Sequence, residues 1–452
     1  MVDEKIVKWA RDASIKGFSK EQIKNNLLQR GFGQSDADNL ISTISQPSGA
    51  LKSPAATHHY GVWWAGLIVI LVVASILTLV FTGNLNADFG KKEAVQISAA
   101  QKIAAFSKPG TILVKTIVTG TVSMPVIASD EEGYPSFDED KQFIPTTEIY
   151  TKYLEEVLVG SGFIISPDGY IITNAHVVSS DENSAKDILF DSFAGFMGKE
   201  WAIGYGDSVY ELITPLANYI VSNGQLSDIK TTVYVSTGVA IPGVGTVQKE
   251  NPADIRKVGT PNSGRDVAIL KIDGKNLPTM KLGNSDEAKT GNIIYVLGYP
   301  GASELDLTAT GEPLEPTLTS GVISAERKTT DGFRLLQTDT TISPGNSGGP
   351  AFNEKGEVVG IATLATVDPI TEQQIQGYNY LVPINFAKDF LQELNIQNKQ
   401  GSVDEHYRKG IEYLWNKKYK KAIEELEAVK RLYPAHPYVQ NYLTETQEAL
   451  EK

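Results

Sequence analysis

The chain has 452 residues, of which 41% are apolar, and a formal net charge of −13. That is length for roughly two to four domains and apolar content for a real core, which excludes a disordered scaffold. No dense run of Lys and Arg is present to neutralise phosphates, and no G-x-x-x-x-G-K-[ST] loop to cradle them, so no nucleic-acid partner is expected; the absence of cysteine excludes disulfides and thiol catalysis.

At the N-terminus, apolar residues at Ile6, Trp9 and Ala10, then Ile23, Leu27 and Leu28, then Leu40, Ile41 and Ile44 recur at helical spacing. Ser19 and Ser35 stand as N-caps, and Gly31 and Gly33 break the chain between helices. A small helical domain is therefore expected over residues 1–46. Its segment GFSKEQIKNNLLQRGFGQSDADNLI resembles the ubiquitin-associated-like three-helix fold, as a ligand-binding unit or as a membrane-proximal spacer. Residues 47–61, with two prolines and a solvated His58–His59 pair, read as a linker. Val62–Thr82 is uncharged, and at 1.5 Å per residue it is long enough to cross a hydrocarbon core of about 30 Å. It reads as a transmembrane helix, with Tyr60, Trp63 and Trp64 as an interfacial anchor. Lys91, Lys92 and Lys102 close to the span favour a cytoplasmic C-terminal side. The more distant Lys5, Lys8, Arg11, Lys16, Lys20, Lys24 and Arg30 favour a cytoplasmic N-terminus. Residues 83–98 form a second linker.

The chemistry is concentrated downstream. GSGFIISPDGYIITNAHVV, Gly160 to Val178, reads as two strands meeting at a Pro-Asp-Gly turn and carries His176, the only histidine between Tyr60 and Gln400. SGRDVAILKI carries Asp266, and TISPGNSGGPAFNEKGEVVGI carries Ser347. A serine hydroxyl needs a neighbouring imidazole to take its proton and later pass it to the leaving amine. An aspartate fixes the imidazole tautomer and stabilises the imidazolium. The glycines around Ser347 let the backbone turn sharply, so that N–H groups of Gly345, Asn346 and Ser347 can form an oxyanion hole, with Gly345 and Ser347 as the main donors. Taken singly, each residue has a structural reading: a hydrogen-bonded histidine, a strand-capping aspartate, a serine in a loop. Taken together, in the order His, Asp, Ser, they form a complete catalytic set. With no second histidine in this region and no cysteine, neither a metal site nor a cofactor is expected.

T-N-A-H around His176, R-D-V-A-I-L-K around Asp266 and G-N-S-G-G-P around Ser347 resemble the trypsin-like serine proteases of the HtrA/DegP group. TGNIIYVLGYPG, LTSGVISAERK and YNYLVPINFAKDFLQEL extend the resemblance over roughly residues 99–395. It implies a mainly β, chymotrypsin-like fold of two six-stranded barrels with the active site between them. It also implies protein or peptide substrates, a barrel held outside the cell membrane, and a homo-oligomer, commonly a trimer. Asn346 replaces the aspartate that digestive relatives pair with a new N-terminus, so activation by N-terminal cleavage is not expected. Six positions before Ser347 stands Thr341, which implies an uncharged substrate pocket for small or medium aliphatic residues, walled partly by Ile361, Ala362, Thr363, Leu364 and Ala365. A membrane-tethered endopeptidase is the leading expectation. A membrane-bound chaperone or adaptor scaffold with a resting protease barrel is the alternative.

Two insertions depart from the compact family pattern. Residues 121–156, with Asp130, Glu131, Glu132, Asp138, Glu139 and Asp140, read as an exposed acidic loop. Residues 179–230 read as partly helical; their apolar residues Phe190, Phe193, Phe196, Met197 and Trp201 form either a lid or assembly surface or a helical pair packed on the barrel. At the C-terminus, residues 403–452 fit one tetratricopeptide (TPR)-like repeat, with Gly410, Tyr413, Ala422, Leu426 and Pro434 at helix-packing spacings, followed by a further helix. A single repeat must lean on the protease or on another copy of itself. It is either a partner-docking module or a packing element. No PDZ domain is expected.

Overall fold

The computed structural model describes Lys24 and residues 97–131, 135–140, 142–178, 182–205, 210–241, 245–261, 264–301, 315–329, 331–367 and 374–452. Apart from Lys24, the predicted N-terminal helical domain lies outside the described residues, as do the linker 47–61 and the span Val62–Thr82. No helix among the described residues is long and apolar enough to cross a membrane.

Helix α1 (Ala99–Ser107) opens the described region behind a capping box in which Ser98 and Gln101 satisfy each other's backbone N–H groups. A seven-stranded sheet follows, ordered β5-β4-β1-β2-β3-β7-β6. Its strands are β1 (Thr111–Ile127), β2 (Pro145–Ile164), β3 (Tyr170–Thr173), β4 (Gln225–Ile241), β5 (Gly245–Pro252), β6 (Asp254–Val258) and β7 (Ala268–Lys271). The second unit is a closed six-stranded barrel, β10-β13-β12-β11-β8-β9. It consists of β8 (Ile293–Gly298), β9 (Thr317–Lys328), β10 (Arg334–Thr338), β11 (Pro350–Phe352), β12 (Val358–Val367) and β13 (Gln374–Pro383). One closed barrel thus stands where two were expected. In the seven-stranded sheet the edge strands β5 and β6 are joined by Ala253 alone, so one segment bends from one sheet edge to the other.

Alternation explains the layers. In β1, Ile112, Val114, Val118 and Val122 are fully buried, and these even-numbered positions all point to one face. Ile112, Val114, Ile164, Ile171, Val235 and Leu270 fill the sheet's own core. Ile294, Val296, Ile323, Leu336, Val359, Ala362 and Leu381 fill the barrel. A third cluster, with Phe163, Ile172 and Ile269 from the sheet and Leu297, Phe352 and Val382 from the barrel, joins the two. Onto it fold α1, through Ile103, and the closing helix α5 (Ile384–Glu393), through Ala387, Phe390 and Leu391. Each buried Phe, Ile, Leu or Val of this cluster is worth roughly 1.5–3 kcal/mol, so sheet and barrel are joined through a continuous apolar core.

Both insertions resolve into one substructure. Residues 121–156 are not a loop: β1 runs on to Ile127 and β2 starts at Pro145, and only the tip between them carries the exposed Asp130, Glu131, Asp138, Glu139 and Asp140. The ribbon holds because α3 (Glu182–Tyr205) and α4 (Tyr210–Asn223) cover its inner face. Leu189, Phe190, Phe193, Leu216 and Ile220 bury against Val118, Val122, Met124 and Leu154. Phe190 and Phe193 therefore build a core and are not an exposed lid; Met197 is packed at its margin. Lys152 places its ammonium 3.5 Å from the Phe196 ring centroid, and the side chain of Trp201 lies outside the described set.

The single-turn α2 (Ala175–Val178) follows β3, and the described chain closes with three helices, α6 (Ser402–Trp415), α7 (Tyr419–Leu432) and α8 (Val439–Glu451). Gly410 lets α6 approach α7, since a Cβ there would stand 2.8 Å from Leu426. The module leans on the sheet unit. Half-buried Asp404 accepts hydrogen bonds from the Thr279 N–H (2.7 Å) and hydroxyl (2.6 Å). Asn276 donates to the Leu432 carbonyl at 3.0 Å, Ala240 N–H to the Ala435 carbonyl at 3.1 Å, and the Thr246 hydroxyl to the Pro437 carbonyl at 2.7 Å. These bonds pack the module on the sheet unit of its own chain.

Candidate active site

His176 sits in the single-turn α2 directly after β3, where Asn174 ties the turn to the second segment by donating from Nδ2 to the Asp266 carbonyl at 2.6 Å. Asp266 is fully buried. Its Oδ1 accepts the backbone N–H of His176 at 2.9 Å, and its Oδ2 contacts His176 Nδ1 at 2.6 Å. A carboxylate has no proton to give, so the imidazole supplies the hydrogen from Nδ1, which makes Nε2 the proton-accepting nitrogen. The Thr363 hydroxyl donates to the same Oδ2 at 3.0 Å. Three hydrogen-bond donors thus stand where this buried carboxylate has lost its water.

Ser347 lies in the turn between β10 and β11, and the sheet unit holds that turn in place. Ser161 of β2 donates its N–H to the Ser347 carbonyl at 2.7 Å and its hydroxyl to the Gly345 carbonyl at 2.6 Å. The same hydroxyl accepts the Tyr299 N–H at 2.9 Å, and the Thr173 hydroxyl donates to the Ser161 carbonyl at 2.7 Å. Ser347 is thereby laid against the turn that carries His176: a Cβ built on Gly160 would meet both Val177 methyls at 2.7 Å and the Ser347 carbonyl oxygen at 2.9 Å.

The glycines of the turn are needed for conformation as well as space. Gly345 has φ +94° and Gly348 φ +88°, values that side-chain-bearing residues rarely adopt. Gly301 N–H donates to the Pro344 carbonyl at 2.9 Å. Because the following peptide is trans, that bond turns the Gly345 N–H to the opposite side. Among the described residues, neither the Gly345 nor the Ser347 N–H donates to another group. Asn346 N–H is spent on the Ser343 carbonyl at 3.0 Å. Of the three expected oxyanion positions, the geometry thus leaves Gly345 and Ser347 as available donors. Gly348→Ala would put a methyl 2.0 Å from the Ser161 carbonyl oxygen and 2.3 Å from Thr173 Oγ1. We expect it to cost at least about 2–3 kcal/mol of stability, read as a lowered urea midpoint, together with loss of serine reactivity.

The predicted pocket residues separate. Thr341 is exposed, with its carbonyl accepting the Thr319 hydroxyl at 3.0 Å. Ile361 and Ala362 are fully buried in the core, so a wall made here by β12 is backbone. Thr363 points at Asp266 instead of a pocket. The side chains of Leu364 and Ala365 fall outside the described set. Sequence reasoning missed the roles of Ser161, Thr173 and Thr363, small hydroxyl residues in ordinary strand contexts. The one available signal was that Thr173 opens the T-N-A-H motif of His176 and Ser161 lies in the strand before it.

Residues 160–361 match the family model of the trypsin-like peptidase domain. A probable periplasmic serine endoprotease DegP-like from Pseudomonas savastanoi pv. phaseolicola is 31% identical over 244 residues, covering 53% of this chain and 36% of that protein. One so described from Halomonas elongata is 32% identical over 248 residues, covering 54% and 36%. The matched stretch takes in His176, Asp266 and Ser347. The chain thus spans about a third of the length of these curated relatives. Among solved structures, the HtrA-type protease AlgW with a decapeptide aligns at TM-score 0.37 and 23% identity, over 66% of this chain and 67% of that one.

Proposed function

We propose that the chain is a membrane-anchored serine endopeptidase of the HtrA type, hydrolysing peptide bonds of unfolded or specific envelope proteins outside the cytoplasm. The observation that carries this reading is the buried Asp266 carboxylate, bonded at once to the backbone and ring of His176 and to Thr363. In the reaction, Ser347 Oγ attacks the scissile carbonyl carbon while His176 Nε2 takes the hydroxyl proton. The carbonyl oxygen becomes an oxyanion facing the Gly345 and Ser347 N–H groups. Collapse breaks the C–N bond, His176 returns its proton to the leaving amine, and an acyl-serine remains. Water, deprotonated by the same imidazole, then releases the acid and restores Ser347. Removing one oxyanion donor typically costs about 10²–10³ in turnover, so the Pro344–Gly301 bond that orients the turn matters nearly as much as the triad.

An uncharged Thr341 supports cleavage after small or medium aliphatic residues. The periplasmic description of the relatives supports an extracytoplasmic barrel, the uncharged apolar run Val62–Thr82 supports an anchor, and the fit of the C-terminal sequence to a TPR-like repeat supports protein docking there. A fluorophosphonate probe tests the central claim. The full chain is expected to be labelled at Ser347, and Ser347→Ala and His176→Ala to abolish labelling while remaining folded. A folded, unlabelled wild type would favour a binding scaffold instead.

A further inference from the structure

β2 is a long strand with an open edge. On the side away from β1 it pairs, among the described residues, only through Phe163 and Ile164 with β3 and through the Ser161 N–H with Ser347. Because Ser161 directs its backbone outward, the two-residue period aims the N–H and C=O of Val157, Glu155, Tyr153, Thr151 and Ile149 at the same open edge. The side chains of these residues share the sheet face opposite α3, where Ile149 and Tyr153 are each 61% exposed and Val157 45%. Edge strands are ordinarily guarded by shortness, proline, a bulge or an outward lysine. Here the β1–β2 register runs without a shift from Phe163 to Ile149, and proline occurs only at the strand's first residue. The one lysine, Lys152, turns to the helix face, over the Phe196 ring.

We propose that this edge pairs antiparallel with the same edge of a second copy, about a two-fold axis at Tyr153. The sequence of the edge is self-complementary in that register. Tyr153 faces Tyr153, Ile149 faces Val157, and Glu155 faces Thr151, so the three exposed apolar side chains of each copy meet across the seam and no like charges oppose. An axis at Lys152 would set Lys152 against Lys152 and Glu148 against Glu156. An axis at Leu154 would set Tyr153 against Glu155. In the Tyr153 register every opposed residue on this face presents outward backbone groups, which makes a hydrogen-bonded ladder and joins the two sheets into one. The partner is a second copy of this chain, and the seam is the isologous contact a two-fold requires.

The absence of cysteine makes a clean test possible. Opposed residues in a hydrogen-bonded antiparallel pair have Cα atoms about 5.5 Å apart, within disulfide reach. In the full chain, Tyr153→Cys is expected to give a covalent dimer on mild oxidation, while Val221→Cys, equally exposed at 61% on α4, is expected to stay uncrosslinked. Sedimentation of the full chain in detergent is expected to show an assembly whose mass falls at least two-fold in Tyr153→Lys, with an unchanged melting temperature. A monomeric wild type, an assembly that Tyr153→Lys leaves intact, or equal crosslinking at both positions would overturn the proposal.

Discussion

Asp266→Asn is expected to slow acylation of Ser347 by about 10⁴-fold while leaving the fold and peptide affinity nearly unchanged. The geometry at the carboxylate gives the reason. Oδ1 accepts the His176 backbone N–H at 2.9 Å, and Oδ2 lies 2.6 Å from Nδ1. An asparagine in this place must keep its oxygen toward the backbone N–H, because its NH₂ there would set donor against donor. Its amide nitrogen then meets Nδ1 and donates to it. The imidazole proton is driven to Nε2, the nitrogen that should take the proton from Ser347. The Thr363 hydroxyl, which donates to Oδ2 at 3.0 Å, also loses its acceptor. The check is the second-order rate of fluorophosphonate labelling, with melting temperature as the control. A loss below ten-fold would mean that His176 is oriented by something other than Asp266.

The residues of this set were legible in the sequence because each lies in a local pattern: a strand-turn-strand before His176, an Arg-Asp turn before β7, a glycine-rich turn at Ser347. The segments that form β8, β9 and α5 were legible only through their resemblance to the HtrA/DegP group. What escaped is non-local. Thr363 is 97 residues from Asp266, and nothing around it marks a hydroxyl that meets a carboxylate. The 121–156 segment was read as a loop because its acids dominate, yet Val122 and Met124 alternate with Thr121 and Ser123 as a half-buried strand should. Their burial depends on Phe193, Leu216 and Ile220 from the other insertion. Neither insertion buries its apolar face without the other, so neither could be read alone. The same dependence leaves β2 with one face covered by helices and the other, with most of its edge, uncovered among the described residues.

Acidification is expected to loosen the C-terminal module through His436. This histidine is fully buried, and its Nδ1 accepts the N–H groups of Tyr438 (3.3 Å) and Val439 (3.2 Å) at the start of α8. Its Nε2 is buried with no hydrogen-bond partner among the described residues, and its ring lies against those of Tyr407 and Tyr433, whose own phenols burial pushes upward. Burial pushes the imidazole pKa down from 6.5 to about 3. A protonated ring would turn an N–H on Nδ1 toward two backbone N–H groups and leave a charge with no counter-ion. Since the folded pKa lies below the unfolded one, the stability this group contributes is complete above about 6.5 and is lost as pH falls toward about 3. At one proton per unit, about 2 kcal/mol should disappear between pH 7.5 and pH 5. Asp404 works in the opposite direction, because burial raises its carboxyl pKa and acid relieves that penalty. His436→Asn separates the two: its side-chain oxygen can still cap α8 but does not titrate, and it leaves Asp404 unchanged. Hydrogen exchange of α6, α7 and α8, corrected for intrinsic rates, should lose about thirty-fold in protection from pH 7.5 to pH 5 in wild type and much less in His436→Asn. Equal slopes in the two proteins would show that His436 is not the group that sets the module's acid limit.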